Sequence, residues 1–201
     1  MLNRPKYKTA RRLGANVFDK TMSAKFALRE SRRKIEKRPK ARSEYGLQLL
    51  EKQKAKTLYG VSERVFSKYV KAILDKKGAN SPEQLMAVLE SRLDNVVYRM
   101  GFAPTRQASR QMVAHGHFTV NGTRVTIPSY SVKIGDKIAI RDGSKAKTLF
   151  TGLDEKLKTY NWPSWLALDI AKKECKVQGL PKLAPTEVIF DGAAVLNFYS
   201  R

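Results

Sequence analysis

The chain has 201 residues, of which 42% are apolar, so it can bury the core of one large domain or two small ones. Its single cysteine, Cys175, excludes an intramolecular disulfide, and no apolar run approaches the roughly 20 residues of a membrane span. The 40 Lys and Arg outnumber the 18 Asp and Glu, and the net charge of +22 predicts a polyanionic partner, with nucleic acid favoured over a membrane surface.

Positive charge is concentrated in the N-terminal part of the chain. Residues 1–85 contain 23 Lys or Arg and 8 Asp or Glu, and RESRRKIEKRPKAR (29–42) is especially dense. Like-charge runs are often solvated or disordered, and this one would become ordered on RNA by pairing with phosphates. The N-terminus lacks the apolar core of a secretory signal, so we expect a cytoplasmic protein.

Two helices are predicted after this basic run. The segment EYGLQLLEKQKAKTLYG (44–60) reads as one helix that ends at Gly60. A second would begin after Ser62 as N-cap and stop near Gly78. Its core face is indicated by apolar residues at helical spacing, namely Val65, Phe66, Tyr69, Val70, Ile73 and Leu74.

A longer helix is predicted from Ser81 to Gly101. SPEQ (81–84) supplies a cap, a proline suited to the first turn and a glutamine that can close a capping box. Its apolar face comprises Leu85, Met86, Leu89, Leu93, Val96, Val97 and Met100. Arg92 and Arg99, with Asn95 between them, are expected on the opposite, exposed face.

Thr105 is predicted to cap a further helix that ends at Gly116. Ala108 and Met112 would face the core, with His115 a further candidate, while Arg106 and Arg110 would face outward. A merely solvated face is the simpler explanation of this pair. Arginine pairs on two consecutive helices favour an anion-binding surface instead.

The stretch HGHFTVNGTRV (115–125) contains both histidines of the chain. Asn121-Gly122 is typical of a type I′ hairpin turn, which would place Phe118, Val120, Val125 and Ile127 on one face. The other face would hold His117, Thr119, Arg124 and Thr126. A second strand–turn–strand, SYSVKIGDKIAI, would turn at Gly135-Asp136. We interpret the histidines as a helix–strand joint, with His115 packed and His117 a minor RNA contact, since a structural metal site needs four ligands.

RLDNVVYRMGFAPTRQASRQMVAHGHFTVNGTRVTIPSYSVKIGDKI (92–138) closely resembles the RNA-binding domain first named for small-subunit ribosomal protein four. That domain also occurs in pseudouridine synthases, tyrosyl-tRNA synthetases and a ribosome-recycling heat-shock protein. The flanks discriminate, because YGLQLLEKQKAKTLYGVSERVF (45–66), NWPSWLALD (161–169) and FYSR (198–201) resemble the bacterial-type family of small-subunit ribosomal protein four itself.

The resemblance implies an α+β fold in which a helix–helix–β-hairpin RNA-binding domain with a small mixed sheet is inserted into a mostly helical domain. The expected ranges are 1–88 for the basic arm and helical domain and 89–153 for the inserted domain. Residues 154–201 would pack back on the helical domain.

The resemblance also implies a non-enzymatic constituent of the small ribosomal subunit. Such a protein binds 16S rRNA, nucleates assembly of the subunit body, contacts ribosomal protein five and, with proteins five and twelve, influences decoding accuracy. Some family members bind zinc through N-terminal cysteines, but residues 1–45 contain no Cys or His, so we expect no metal and no cofactor.

Three groups of candidate contacts follow. On the two helices and the hairpin, the rRNA-binding candidates are Arg92, Arg99, Arg106, Gln107, Arg110, His117 and Arg124. In the N-terminal region they are Arg4, Lys6, Lys8, Arg11, Arg12, Arg32 and Arg33. By resemblance, the residues expected near the mRNA entry path are Lys37, Arg38, Lys40 and Arg42.

Two other functions stay open at this point. An RNA-modifying enzyme with an appended RNA-binding domain would need a catalytic domain, and the sequence has no glycine-rich phosphate loop, Ser-His-Asp set or metal-ligand cluster. Asp94 is better explained as a structural residue than as a nucleophile. A ribosome-associated rescue factor would share the RNA-binding domain but lack the flanking similarities.

Overall fold

A computed structural model describes residues 5–14, 16–32, 42–75, 82–182 and 187–200. They form two compact units, one drawn from Met1–Pro82 with Ala184–Arg201 and the other from Glu83–Leu183. The first unit is helical and the second combines helices with a sheet, so the predicted α+β class is confirmed.

The helices described are α1 (Lys6–Leu13), α2 (Ala24–Ser31), α3 (Glu44–Leu58), α4 (Glu63–Leu74), α5 (Pro82–Glu90), α6 (Leu93–Arg99), α7 (Arg106–Ala114), α8 (Asp142–Lys145), α9 (Leu153–Thr159) and α10 (Gly192–Tyr199). The strands are β1 (Phe118–Val120), β2 (Thr123–Arg124), β3 (Lys137–Ile140), β4 (Leu166–Asp169) and β5 (Glu174–Val177). Short 3₁₀ helices lie at Asp19–Thr21 and Thr148–Phe150.

The helical unit confirms the two predicted helices. The Ser43 hydroxyl accepts a hydrogen bond from the Gly46 amide at 3.2 Å and so caps α3. Ser62 is the N-cap residue of α4, although its side chain accepts no capping bond, and Phe66 and Val70 are fully buried. The predicted stop at Gly78 lies outside the described residues.

The C-terminal helix α10 packs on α3 and α4. The Asp191 carboxylate caps it by accepting hydrogen bonds from the amides of Ala193 at 2.8 Å and Ala194 at 3.3 Å. The Asp191 amide in turn donates to Glu51 of α3 at 2.9 Å. These bonds join the end of the chain to the helical unit.

The single helix predicted from Ser81 to Gly101 is wrong, because α5 and α6 are separate helices with Arg92 in extended conformation between them. The amide of Leu93 donates to the carbonyl of Tyr130 at 2.8 Å, and the amide of Val132 donates to Ser91 at 2.8 Å. Long-range backbone pairing therefore replaces the helical bonds at this point. The predicted apolar face nevertheless lies in the core, apart from the partly exposed Met86.

The hairpin has the predicted register, with Val120 opposite Thr123 and Thr119 opposite Arg124. Asn121 and Gly122 both have positive φ, at 50° and 81°, as a type I′ turn requires. One predicted face is wrong at Ile127, which is 59% exposed because β2 ends at Arg124 and the chain leaves the sheet.

The sheet has the strand order β2-β1-β3-β5-β4. Each of its pairings is antiparallel, so the mixture of strand directions expected for the sheet is not found. The second predicted strand–turn–strand is reduced to an isolated bridge at Ser131, the Gly135 turn and β3. Strand β5 pairs with β3, so residues 154–182 belong to the sheet-bearing unit, although the sequence predicted that they pack on the helical domain.

Candidate RNA-binding surface

A buried carboxylate, that of Glu90, organises the arginines of α6 and α7. Glu90 ends α5 and is fully buried. Arg99 donates to it twice, from Nε to Oε2 at 2.9 Å and from Nη2 to Oε1 at 3.1 Å. The Asn95 amide donates to Oε2 at 2.6 Å, and a guanidinium nitrogen of Arg106 lies 3.9 Å from Oε1. One buried charge is thereby compensated by two guanidinium groups.

A second buried carboxylate, that of Asp94, pairs with Arg92. The Arg92 guanidinium donates from Nε to Oδ1 at 3.1 Å and from Nη2 to Oδ2 at 2.6 Å, and both side chains are almost completely buried. The Ser109 hydroxyl donates to the Asp94 carbonyl and so joins α7 to α6. Arg110 lies 4.0 Å from Oδ2 on the solvent side.

The exposed basic face predicted for α6 is therefore wrong. Arg92 and Asn95 are buried in the second unit, and only 14% of the Arg99 side chain is exposed, because Asp94 and Glu90, which bind these side chains, are themselves buried. Such pairing makes it possible to bury cations next to an apolar core. These two arginines support the α7 surface from within.

We call Arg106, Gln107 and Arg110 the α7 surface. Gln107 is exposed, the side chain of Arg110 is 41% exposed and that of Arg106 is 17% exposed. Arg124 of the predicted face is also exposed. Thr105 caps α7 as predicted, accepting from the Ala108 amide at 3.1 Å. Arg106 donates from Nε to Asn95 Oδ1 at 2.8 Å, and its guanidinium lies 4.4 Å from the centre of the Tyr98 ring. Both arginines are thus oriented by groups beneath them, while Gln107 is exposed.

The predicted positions of the two histidines are reversed. His115 is exposed, whereas His117 is buried and its Nδ1 lies 3.0 Å from the hydroxyl of the buried Ser144. Burial lowers the pKa of His117 below 6.5, and the nearby charges of Lys147, His115, Arg141 and Arg124 lower it further. The reversal arises because the Arg141 amide pairs with the His117 carbonyl at 2.9 Å and brings Ser144 over the ring.

Two models of known families match this chain. Residues 91–138 match the S4 domain, and residues 1–90 match the ribosomal protein S4/S9 N-terminal domain. Small ribosomal subunit protein uS4 of Chloroflexus aurantiacus (strain ATCC 29366 / DSM 635 / J-10-fl) is 40% identical over 201 residues, which cover 98% of this chain and 97% of the relative. The chain belongs to the small ribosomal subunit protein uS4 family.

Further members of the uS4 family show the same similarity. Small ribosomal subunit protein uS4A of Alkaliphilus oremlandii (strain OhILAs) is 48% identical over 159 residues, covering 79% of this chain and 76% of the relative. The uS4 protein of Polaromonas naphthalenivorans (strain CJ2) is 40% identical over 205 residues, covering 98% and 97% respectively. The resemblance found in the sequence is therefore confirmed.

The N-terminal region matched by the uS4 family also contributes basic groups. Lys8 and Arg12 of α1 are exposed, Lys6 is partly exposed, and Arg32 at the end of α2 is exposed. Arg11 instead pairs with Glu30 at 2.6 Å, which links α1 to α2. Of the predicted mRNA-entry residues only Arg42 is described, and it is exposed; Arg4, Arg33, Lys37, Arg38 and Lys40 lie outside the described residues.

No sequence signal indicated Glu90 as an organiser of this surface, or Arg141 and Lys147 as neighbours of the hairpin. Glu90 is nine residues from Arg99 and on a different helix, so no helical spacing signals the pair. Among the described residues no three His, Cys, Asp or Glu side chains form a group that could hold a metal ion. No described helix is both long and apolar enough to cross a membrane.

Proposed function

We propose that this chain binds 16S rRNA directly and acts in the cytoplasm as a structural, non-enzymatic constituent of the small ribosomal subunit. Membership of the uS4 family and the net charge of +22 support this function. The observation that carries it is the α7 surface, where Arg106 and Arg110 lie one helical turn apart and are oriented from below by buried groups.

The arrangement suits binding to RNA phosphates. A guanidinium fork can donate two parallel hydrogen bonds to one phosphate, and its planar face can also stack. Because Asn95 and Tyr98 already hold Arg106, less side-chain entropy is lost when the RNA binds. Affinity would come from phosphate contacts and counterion release, and specificity from the shape of the folded RNA.

The exposed N-terminal cations extend the proposed contact. Lys8, Arg12 and Arg32 lie on α1 and at the end of α2, and all three are exposed. They belong to the helical unit, so rRNA would be bound through both units of the chain. Binding through two linked units raises affinity because the second contact becomes intramolecular.

We further propose, from the family resemblance, that this binding nucleates assembly of the subunit body. The same resemblance supports a direct contact with ribosomal protein five, a functional link to protein twelve in decoding accuracy, and a role of Arg42 near entering mRNA. Stoichiometric recovery of the chain in purified small subunits tests its role as a constituent. Substoichiometric recovery would favour a rescue factor instead.

The test of direct rRNA binding uses the full chain and 16S rRNA transcribed in vitro. Arg106→Ala with Arg110→Ala should weaken binding and reduce the salt slope by about 0.7–0.9 per lost phosphate contact. Since Arg106 also donates to Asn95, the single variant Arg110→Gln separates RNA binding from folding.

Lys158→Gln is the matched control, because Lys158 is an exposed cation of the same unit. Equal affinity and equal salt slopes for Arg110→Gln, Lys158→Gln and the unsubstituted chain would contradict the α7 assignment. Failure of the unsubstituted chain to prefer 16S rRNA over an unrelated RNA of the same length would contradict the proposed function itself.

A further inference from the structure

A second group of basic side chains, the hairpin-base cluster, surrounds the buried His117 and consists of His115, Arg124, Arg141 and Lys147. We propose that this cluster is a separate binding site for backbone phosphates of RNA, with Arg141 and Lys147 as its additional contacts. The proposal rests on the proposed function, because it assigns a second phosphate site for the same RNA.

Backbone hydrogen bonds bring the cluster together from distant parts of the sequence. The Arg141 amide donates to the His117 carbonyl at 2.9 Å. The Ser144 amide donates to the Arg141 carbonyl at 2.8 Å and the Lys147 amide to the Ser144 carbonyl at 3.0 Å, so Arg141 and Lys147 flank the residue that covers His117.

The helix–hairpin joint supplies the other two side chains of the cluster, those of Arg124 and His115. Arg124 Nη2 lies 3.4 Å from the His115 carbonyl, and the rings of His115 and His117 are 6.0 Å apart. Arg124, Lys147 and His115 are exposed, and Arg141 is partly exposed. The cluster therefore presents charge to solvent around a fixed, buried ring.

No carboxylate of the described residues forms an ion pair with Arg124, Arg141 or Lys147. The nearby Asp142 pairs instead with Lys145 at 2.8 Å. Arg141 Nε is buried and makes no hydrogen bond with the described residues. This differs from the interior of α6 and α7, where Glu90 and Asp94 compensate the arginines.

An uncompensated cluster of this kind costs self-repulsion, which a bound anion removes. The effect already appears at His117, whose pKa is lowered by burial and then by Lys147, His115, Arg141 and Arg124. A phosphodiester matches the site because it carries one charge and acceptor oxygens that guanidinium and ammonium groups can bind together.

The test compares two double variants. The cluster variant combines Arg141→Gln and Lys147→Gln, and the control variant combines Lys158→Gln and Lys172→Gln. Both pairs remove two exposed or partly exposed cations from the same unit, so non-specific charge loss is equal. The probe is 16S rRNA transcribed in vitro, with the full chain. The cluster variant should bind about tenfold or more weakly, and its salt slope should fall by up to about 1.4–1.8 beyond that of the control.

Equal affinities and slopes for the two double variants would overturn the cluster site. If Arg110→Gln still weakens binding in that case, the proposed function stands and only the second site is lost. If the cluster variant binds phosphatidylserine vesicles more weakly than the control variant does but binds rRNA equally well, the cluster is a membrane-binding site and the proposal is overturned. Lys147→Gln alone provides the test should the double variant not fold, since Lys147 is exposed.

Discussion

Arg99 donates two hydrogen bonds to the buried carboxylate of Glu90, at 2.9 and 3.1 Å, and this pair lies beneath the α7 surface. Glu90 ends α5, Arg99 ends α6, and Arg106 begins α7, so one carboxylate joins three helices. The guanidinium that faces RNA in our proposal is thereby oriented before any RNA binds. Glu90 acts as a positioning residue for the arginines of this surface.

Glu90→Gln should lower the free energy of unfolding by about 3–5 kcal/mol, because it leaves the partly buried Arg99 without its counter-charge. Urea denaturation measures the change. Glu155→Gln is the control, since Glu155 is exposed and forms no ion pair with the described residues. A loss below about 0.5 kcal/mol for Glu90→Gln, comparable to an ordinary surface substitution, would contradict the structural role of the pair.

Local sequence signals predicted local structure well in this chain. The cap at Thr105 and the turn at Asn121-Gly122 need only neighbouring residues, and both form as predicted, although the predicted N-cap residue Ser62 makes no capping bond. The family resemblance also rested on contiguous stretches of sequence, and the comparisons with known proteins confirmed it.

The failed predictions for Arg92, Arg99 and His117 depend on contacts between residues that are distant in the sequence or on different elements. Arg92 interrupts a helix because residues 128–132 pair with the backbone there. Arg99 is partly buried because Glu90, nine residues away, compensates it, and His117 is buried because Ser144 covers it. Helical spacing describes only one element, so it could not show which arginines the fold would pair internally.

Gly116→Ala should destabilise the protein more than Gly152→Ala does. Both glycines have positive φ, at 71° and 69°, so the backbone penalty is shared. A Cβ on Gly116 would lie 2.6 Å from Arg124 Nη2, whereas a Cβ on Gly152 would have no neighbour within 4 Å. The side chain of Arg124 must therefore move away from the helix–hairpin joint.

Thermal unfolding of the two alanine variants measures the difference in stability between them. We expect it to be at most about 1 kcal/mol, because the Arg124 guanidinium is the far end of an exposed, flexible side chain. The double variant Gly116→Ala with Arg124→Ala should remove most of that excess and leave the backbone penalty. Equal melting temperatures for the two single variants would contradict the expected cost of displacing the Arg124 side chain.

Tyr199→Phe should make the helical unit unfold at a higher pH when the solution is acidified. Burial alone would raise the pKa of Glu63, but hydrogen bonds from Lys56, Tyr199 and Lys52 outweigh it and lower the pKa from 4.5 to about 2. A carboxylate with a lowered pKa stabilises the fold above its unfolded pKa. That contribution is lost as the pH falls from 4.5 towards 2. Removing one donor should raise the pKa of Glu63 and move acid unfolding to higher pH.

Carbon-13 titration of the Glu63 carboxyl checks this shift directly. Tyr45→Phe is the matched control, because the Tyr45 ring packs on Phe198 and its hydroxyl makes no hydrogen bond with the described residues. Solvent screens the Glu63 interaction, since nearly half of the side chain is exposed, so the stability effect should be modest. An unchanged Glu63 titration in Tyr199→Phe would exclude the Tyr199–Glu63 hydrogen bond in solution.

The free energy of unfolding of the sheet-bearing unit should fall at acid pH, because the buried His117 resists protonation in the folded state. Burial and the hairpin-base cluster lower its folded pKa below 6.5, so the unfolded chain binds the proton first as the pH falls. Stability from neutral His117 is therefore complete above pH 6.5 and declines below it. His117→Gln should flatten this decline, because glutamine cannot titrate but can still bond to Ser144.

Charge removal at the cluster tests the cause of the lowered pKa. Lys147→Gln should raise the pKa of His117, measured from the pH dependence of its ring proton resonances, whereas Lys158→Gln should not change it. If the two variants titrate alike, Lys147 is too far from the ring to repel its proton, and the cluster geometry is wrong. A raised pKa in Lys147→Gln would show that this cation acts on His117 before any phosphate is bound, because the free protein is the species titrated.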